Sequence, residues 1–377
     1  MRIWIPGPTH VRDAILQECA RPMIGHRSAA MAALHERIDP HLQLCFGLEP
    51  GSQSQVAVHT TSASGMMEAA LHGVGTRVLV VVQGAFATRW LEIAKLLGKQ
   101  TTALVVPYGQ APSVLDLERE LTSRGPFDAL AVVLNDTSTC VRVPPQWLAQ
   151  ARRASPDALL LVDVVSYAAG GPIDFDHHGF DFSFAGSQKA LALPPGLAVA
   201  CASQRYLQRA RALARASWYL DPVRVFDGHK QRETPATPCI PLYFALAKQL
   251  EDISSGRAMD VANSPGQAAW NARFERHAHM QQRVEAWAAP WIGAGQLSYL
   301  AAPALRSPTV TNLVGQSLDM GRLLKLVEAH GHKLGSGYGE LKGRAFRIGH
   351  MGDHSAADLE QLLEHTEAAM QELTRAS

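Results

Sequence analysis

Arg77-Val78-Leu79-Val80-Val81-Val82 is a run of aliphatic, mostly β-branched residues with no polar interruption after its first position, and it reads as a strand buried on both faces. Directly after it, Phe86, Trp90, Ile93, Ala94 and Leu97 recur at helical spacing. That apolar stripe has to lie on the sheet to which the strand belongs. A buried strand followed by a helix that covers it is the repeating unit of a mostly parallel sheet sandwiched by helices. The unit recurs downstream, with strands at Leu104 to Val106, Leu130 to Leu134 and Leu159 to Val162 and helices at Leu115 to Leu121 and Gln146 to Arg152. Phe180 to Phe184 and Leu197 to Cys201 extend the strand series.

Further along, Lys230-Gln231-Arg232-Glu233-Thr234-Pro235-Ala236-Thr237-Pro238 holds two prolines in four residues and reads as loop. Helical stretches follow near Leu242 to Leu250 and Gln267 to Trp287. A second, α+β pattern comes next: strand Thr309 to Val314, helix Met320 to His330, strand Ala345 to Ile348, helix Ala356 to Leu373.

The chain has 377 residues, 47% hydrophobic and 18% charged, a globular composition large enough for two or three domains. Its 35 basic and 34 acidic residues leave a net charge of +1, so no broad electrostatic footprint for nucleic acid or anionic membrane exists. Five cysteines, Cys19, Cys45, Cys140, Cys201 and Cys239, are scattered without CxxC spacing, which argues against a structural metal site or a disulfide framework and fits a reducing cytoplasm. Met1 to Pro8 lacks the apolar segment of a secretory leader. No run reaches the roughly 18 apolar residues of a membrane span.

In open α/β sheets the ligand crevice lies beyond the carboxyl ends of the strands. Four places there carry chemistry. His59-Thr60-Thr61-Ser62-Ala63-Ser64-Gly65 runs into the helix-forming Met66 to Leu71, so hydroxyls and backbone N–H groups can converge on an anion at a helix N-terminus; the alternative is that Ser62 or Ser64 only caps the helix. Asp163 ends the apolar run Leu159 to Val162, and a carboxylate there needs a dedicated partner, structural or functional. Lys189, in Phe182-Ser183-Phe184-Ala185-Gly186-Ser187-Gln188-Lys189-Ala190-Leu191, sits where burial would lower its pKa and make the amine nucleophilic, although many loop lysines are merely solvated. Arg347, inside Ala345-Phe346-Arg347-Ile348, can offer its planar fork to a carboxylate or to an internal ion pair. An anion site, a buried carboxylate, an aldehyde-binding lysine and a carboxylate-binding arginine are together the parts that pyridoxal 5′-phosphate chemistry on an amino acid requires.

Their order and spacing resemble the fold-type I, class V aminotransferases, in particular the alanine:glyoxylate and serine:pyruvate aminotransferases. The resemblance rests on Pro6-Gly7-Pro8-Thr9, on Gly25-His26-Arg27-Ser28, on the 26-residue interval from Asp163 to Lys189 and on Gly186-Ser187-Gln188-Lys189-Ala190-Leu191. It implies an α/β fold, the fold-type I architecture of transferases dependent on pyridoxal phosphate. The expected parts are an N-terminal segment 1–20 contributing to the active site and the small domain, a large cofactor domain over 21–260, and a small C-terminal α+β domain over 261–377.

By position, the resemblance implies that Lys189 holds the cofactor's aldehyde as a Schiff base and, once released, shuttles the proton. Asp163 would pair with the ring nitrogen, Val165 and Phe86 would pack on the two ring faces, and Thr137 would bond the ring hydroxyl. Ser62, Ala63, Ser64 and Gln188 would hold the phosphate. Family members are homodimers with shared sites, which makes Thr237, or else Thr234, the expected cross-subunit phosphate contact. Arg347, helped by backbone near Gly7, would bind the substrate α-carboxylate. No metal is implied. The activity so implied moves the amino group of serine or alanine to glyoxylate or pyruvate by a ping-pong route; a lyase, or a transaminase for another small donor, is the alternative. Desulfurase relatives use a late cysteine, and no cysteine follows Cys239 here.

Four positions depart from the family pattern: Ala63 replaces a usual glycine, Ser64 a histidine or threonine, Cys140 a glycine, and Phe86 a frequent tryptophan, which keeps ring stacking with less area. Ala63 is tolerable if its φ is negative, whereas Cys140 is strained if the position requires a positive φ.

Overall fold

The structure is a computed structural model that describes residues 1–258, 265–316 and 318–375. The apolar runs assemble into a seven-stranded sheet in the order Gln55–His59, Ala198–Ala202, Phe182–Gly186, Leu159–Asp163, Ala129–Val133, Arg77–Val82, Gln100–Val105. The five strands from Phe182–Gly186 to Gln100–Val105 are parallel, and Ala198–Ala202 runs antiparallel to both neighbours. That reversal has a local cause. Residues 187–197, which join it to Phe182–Gly186, contain no helix, and a parallel crossover needs a dozen or more residues.

Both faces of the sheet are buried, which is why its strands read as unbroken apolar runs. Leu159 and Leu161 point into one core with Val78, Val80, Phe182 and Phe184, while Leu160 and Val162 point into the other with Leu79, Val81 and Val199. Helices Ala63–His72 and Ala85–Leu96 cover the first face through Met66, Met67, Trp90 and Ala94. Helices Ala29–Phe46 and Ile240–Ser254 cover the second.

A five-stranded sheet forms from Arg2–Trp4, His332–Ser336, Ala345–Ile348, Thr311–Gly315 and Leu297–Tyr299, in that order. The strand Arg2–Trp4 and the strand His332–Ser336 carry no apolar run, and sequence periodicity misses both. Gly335 is required in the second: a Cβ there would stand 2.8 Å from Pro6 Cδ. Helices Gln204–Arg211 and Pro222–Lys230 escape the sequence reading too, and the two-proline stretch is loop only from residue 231 onward. The expected domain boundary between residues 260 and 261 lies outside the described residues. Helix Gln267–Gly293 puts Trp270 and Phe274 into a core of the large sheet and Met280, Val284 and Trp287 into the core of the small one.

An ion-pair knot ties these parts to the lysine loop. Arg12 meets Asp252 at 3.0 Å and Asp353 at 2.7 Å, and Arg273 meets Asp353 at 2.9 Å. Arg273 also donates to the carbonyls of Ala169 and Ala190, the latter one residue past Lys189. The buried Arg273–Asp353 pair is of the kind whose breakage costs about 3–5 kcal/mol. Among the described residues no helix is long and apolar enough to cross a membrane.

Candidate active site

The carboxyl ends of the parallel strands deliver the chemistry. In the sheet register Asp163 lies between Val133 and Phe184, and Lys189 follows the strand Phe182–Gly186 by three residues. The lysine loop is held by Ser187, whose N–H donates to Leu197 O and whose hydroxyl donates to Pro194 O. Gly186 leaves room for it, since a Cβ there would meet Gln188 Oε1 at 2.6 Å. Opposite, Ser62 caps helix Ala63–His72, its Oγ accepting the Gly65 N–H.

A cavity of about 280 Å³ opens between these elements. Its lining includes Ser62, Ala63, Ser64 and Gln188 together with Phe86, Thr137, Asp163, Val165, Lys189 and Gly7. A second cavity of about 430 Å³ adjoins it, shares Gly7, Phe86, Thr137 and Lys189, and adds Arg347. Thr237 lines neither: it is exposed on its loop, and the Oγ1 of the nearby Thr234 is buried without a hydrogen-bond partner. The pair His26-Arg27 lines neither cavity as well.

Charges in the pocket are shifted in opposing directions. Burial pushes Asp163 up to about 7, with Asp136 adding to the shift, while the Val165 N–H bond at 2.8 Å and the charges of Lys189 and Arg89 oppose it. No side-chain cation forms an ion pair with Asp163 among the described residues. Lys189 is lowered to about 8, first by burial and then by Arg347, with Asp163 working against the shift. Its Nζ donates to Pro6 O and lies 5.9 Å from the Phe86 ring centre. Arg347 spends Nε on Ser336 O and Nη1 on Thr137 O, each at 2.8 Å. Its Nη2 and the second Nη1 hydrogen remain for a bidentate carboxylate.

The family model for class-V aminotransferases matches residues 51–271, more than half of the chain. The chain belongs to the class-V aminotransferases. This aminotransferase is 28% identical to the serine–glyoxylate aminotransferase of Methylorubrum extorquens, over 93% of its own length and 86% of that protein's. It is also 28% identical to a Synechococcus protein named the small subunit of soluble hydrogenase, over 98% and 93% of the two chains. Among solved structures it superposes on an aspartate aminotransferase from Thermus thermophilus with a TM-score of 0.86 and 25% identity, covering 99% of this chain and 100% of that one.

Pyridoxal 5′-phosphate is therefore the cofactor to test against the pocket, and the residues fit it. A fully buried carboxylate lacking a cationic partner matches a protonated ring nitrogen. The first amides of a capped helix, which have no intrahelical acceptor, match a phosphate. A lysine lowered to about 8 matches an aldehyde.

The departures resolve in different ways. Ala63 is the first residue of a right-handed helix, where a methyl group is harmless. Cys140 does take a positive φ, 58°, the conformation that glycine adopts freely. Burial of its side chain and an Sγ contact with Thr137 O at 3.7 Å offset a cost of roughly 1–2 kcal/mol. At Gly7 two requirements coincide: φ is +105°, and a Cβ would approach Lys189 Cδ to 2.5 Å and Nζ to 2.7 Å. Gly7→Ala is expected to lower kcat by about 10- to 100-fold by displacing the lysine, measurable as turnover at saturating substrate with the melting temperature as a folding control.

Sequence reasoning missed three residues around this cavity. Asp136 is fully buried and accepts the N–H groups of Phe86 and Ala87, together with the N–H and hydroxyl of Ser138; it anchors the start of helix Ala85–Leu96, where Phe86 sits. Tyr338 stacks on Phe86 at 5.7 Å and 13°. Arg89 lies four residues past Ala85 in the same helix and reaches into the cavity. Its one sequence signal was polarity within an otherwise apolar stripe, which an exposed helix face produces equally well.

Proposed function

We propose that this aminotransferase moves the amino group of a small amino acid, serine or alanine, to a 2-oxo acid, glyoxylate or pyruvate, in two half-reactions of a ping-pong cycle. The observation that carries the reading is the convergence of Lys189, Asp163 and Arg347 on two adjoining cavities at the carboxyl ends of the strands. In this reading the helix end at Ser62, Ala63 and Ser64, with Gln188, holds the cofactor phosphate. Asp163 holds the ring nitrogen protonated, Thr137 bonds the ring hydroxyl, and Phe86 and Val165 flank the ring. The bound cofactor supplies an electron sink for the carbanion formed at the substrate's Cα.

The protein's own groups do the rest. Arg347 fixes the α-carboxylate by its free edge, which orients the Cα–H bond toward Lys189. Lys189 Nζ, with a pKa lowered to about 8, would take the Cα proton as general base and deliver it to the cofactor's C4′, the reverse transfer serving the second half-reaction. Thr237 is exposed in this chain, and its role is proposed to be played in the site of a second subunit, so that a homodimer completes both sites.

The test is a half-reaction screen: the cofactor-loaded protein is mixed with each amino acid in turn and its visible absorption followed. Serine or alanine is expected to bleach the band of the lysine-bound cofactor, and glyoxylate or pyruvate to restore it. Arg347→Ala is expected to raise the amino acid concentration needed for half conversion by about 10- to 100-fold, the worth of a charge-assisted bidentate bond. A band that ignores every small amino acid would overturn the substrate assignment.

A further inference from the structure

We propose that Arg89 is the positive charge of the phosphate site, positioned by Ser64 to bind the cofactor's phosphate group. This rests on the cofactor placement given above and adds a residue to it. Arg89 Nη1 donates to Ser64 Oγ at 3.2 Å, and both residues line the cavity that holds Lys189 and Asp163. The guanidinium carbon also lies 5.0 Å from the Phe86 ring centre. Among the described residues Arg89 forms no ion pair with a carboxylate. A half-buried guanidinium without a carboxylate, beside the open end of a helix, is a cation awaiting an anion.

Charge accounting in the pocket leads to the same residue. A phosphate monoester brings about −1.5 to −2 charges near neutral pH, and Asp163 brings another when ionised. Against these stand a protonated ring nitrogen, the helix end at roughly +0.5, and Lys189, which gives up its charge when its amine binds the aldehyde. About one positive charge is missing, and Arg89 is placed to supply it. Ser64 suits this arrangement. It is short enough to leave the guanidinium at the cavity wall, and its hydroxyl holds the fork there.

The test uses cofactor-free protein titrated with pyridoxal 5′-phosphate and, separately, with pyridoxal, which lacks the phosphate; binding is read by fluorescence quenching and by the visible band. Arg89→Met is expected to weaken pyridoxal 5′-phosphate by about 10- to 100-fold and pyridoxal by less than about threefold, with Arg89→Lys recovering part of the loss. Inorganic phosphate should compete with the cofactor in the wild type and need about tenfold higher concentration in Arg89→Met. Equal losses for both compounds, or no loss, would overturn the proposal. Should Arg89→Met fail to fold by circular dichroism, Arg89→Lys and Ser64→Ala carry the same comparison. Wild-type protein that binds neither compound would instead sink the cofactor placement, and this inference with it.

Discussion

Lys189→Ala is expected to reduce turnover by about 10⁴-fold, the upper end of what a positioned proton-transfer group supplies, and to abolish the visible band of the lysine-bound cofactor. The expectation follows from two properties of the side chain. The residue is only 9% exposed, and its Nζ donates to Pro6 O and lies 5.9 Å from the Phe86 ring centre, a position fixed by the surrounding fold. Its pKa falls from 10.5 to about 8, which at neutral pH makes the nucleophilic, uncharged amine about 300 times more abundant than in an ordinary lysine. Cofactor capture by the cofactor-free protein should accordingly speed up as pH rises toward 8 and level off above it. Lys189→Arg keeps a positive charge without a usable nucleophile and should lose as much as the alanine variant. Added methylamine should restore part of the Lys189→Ala activity, because a small amine can enter the emptied volume and accept the Cα proton. A wild-type-like band in Lys189→Ala would move the assignment to another residue.

Much of the fold was legible because its decisive signals are local. Leu159 to Val162 is apolar at every position since alternate residues feed two different cores, and that doubling shows in one strand without knowledge of its neighbours. The direction of Ala198–Ala202 was not legible from its own residues; it depends on the connection, where residues 187–197 tighten into the lysine loop in place of a crossover helix. The strands Arg2–Trp4 and His332–Ser336 pair with each other from opposite ends of the chain. Long-range pairing, with Gly335 chosen to admit Pro6, leaves no periodicity to read.

The candidate site divides in the same way. Lys189 and Asp163 stand in a recognisable motif and at a recognisable spacing, and the positive φ that makes Cys140 a departure was inferable from the glycine it replaces. Asp136 and Arg89 were not legible. The first acts by accepting N–H groups 49 and 50 residues away in sequence, and the second meets Ser64 across 25 residues. Thr237 is exposed in its own chain, because its proposed contact is made in the site of a second subunit.

Asp163→Asn is expected to reverse the usual cost of a mutation, with opposite effects on the cofactor-free and cofactor-loaded protein. The pKa of Asp163 rises from 3.8 to about 7 in the folded chain. A raised carboxyl pKa means that the unfolded chain gives up the proton more readily than the folded one. The stability that the group contributes is thus fully present below about pH 4 and is lost as pH rises through 7. Three units correspond to a penalty on the order of 4 kcal/mol above pH 7. The cofactor-free wild type should melt lower at pH 8 than at pH 5 relative to Asp163→Asn, whose neutral amide escapes the penalty. In the proposed placement, loading the cofactor is expected to invert the comparison: a cationic ring nitrogen beside the carboxylate would turn the buried charge into a pair, and removing one member of such a pair costs about 3–5 kcal/mol. Turnover of the variant should fall by about 10²- to 10³-fold, the loss typical of deleting one preorganised electrostatic group. Melting curves of both proteins, with and without cofactor at the two pH values, check the crossing. Parallel curves would show that Asp163 has no cationic partner in the loaded site, and the carboxylate would then have to be explained by packing alone, for which its 2.8 Å bond to the Val165 amide is too little compensation.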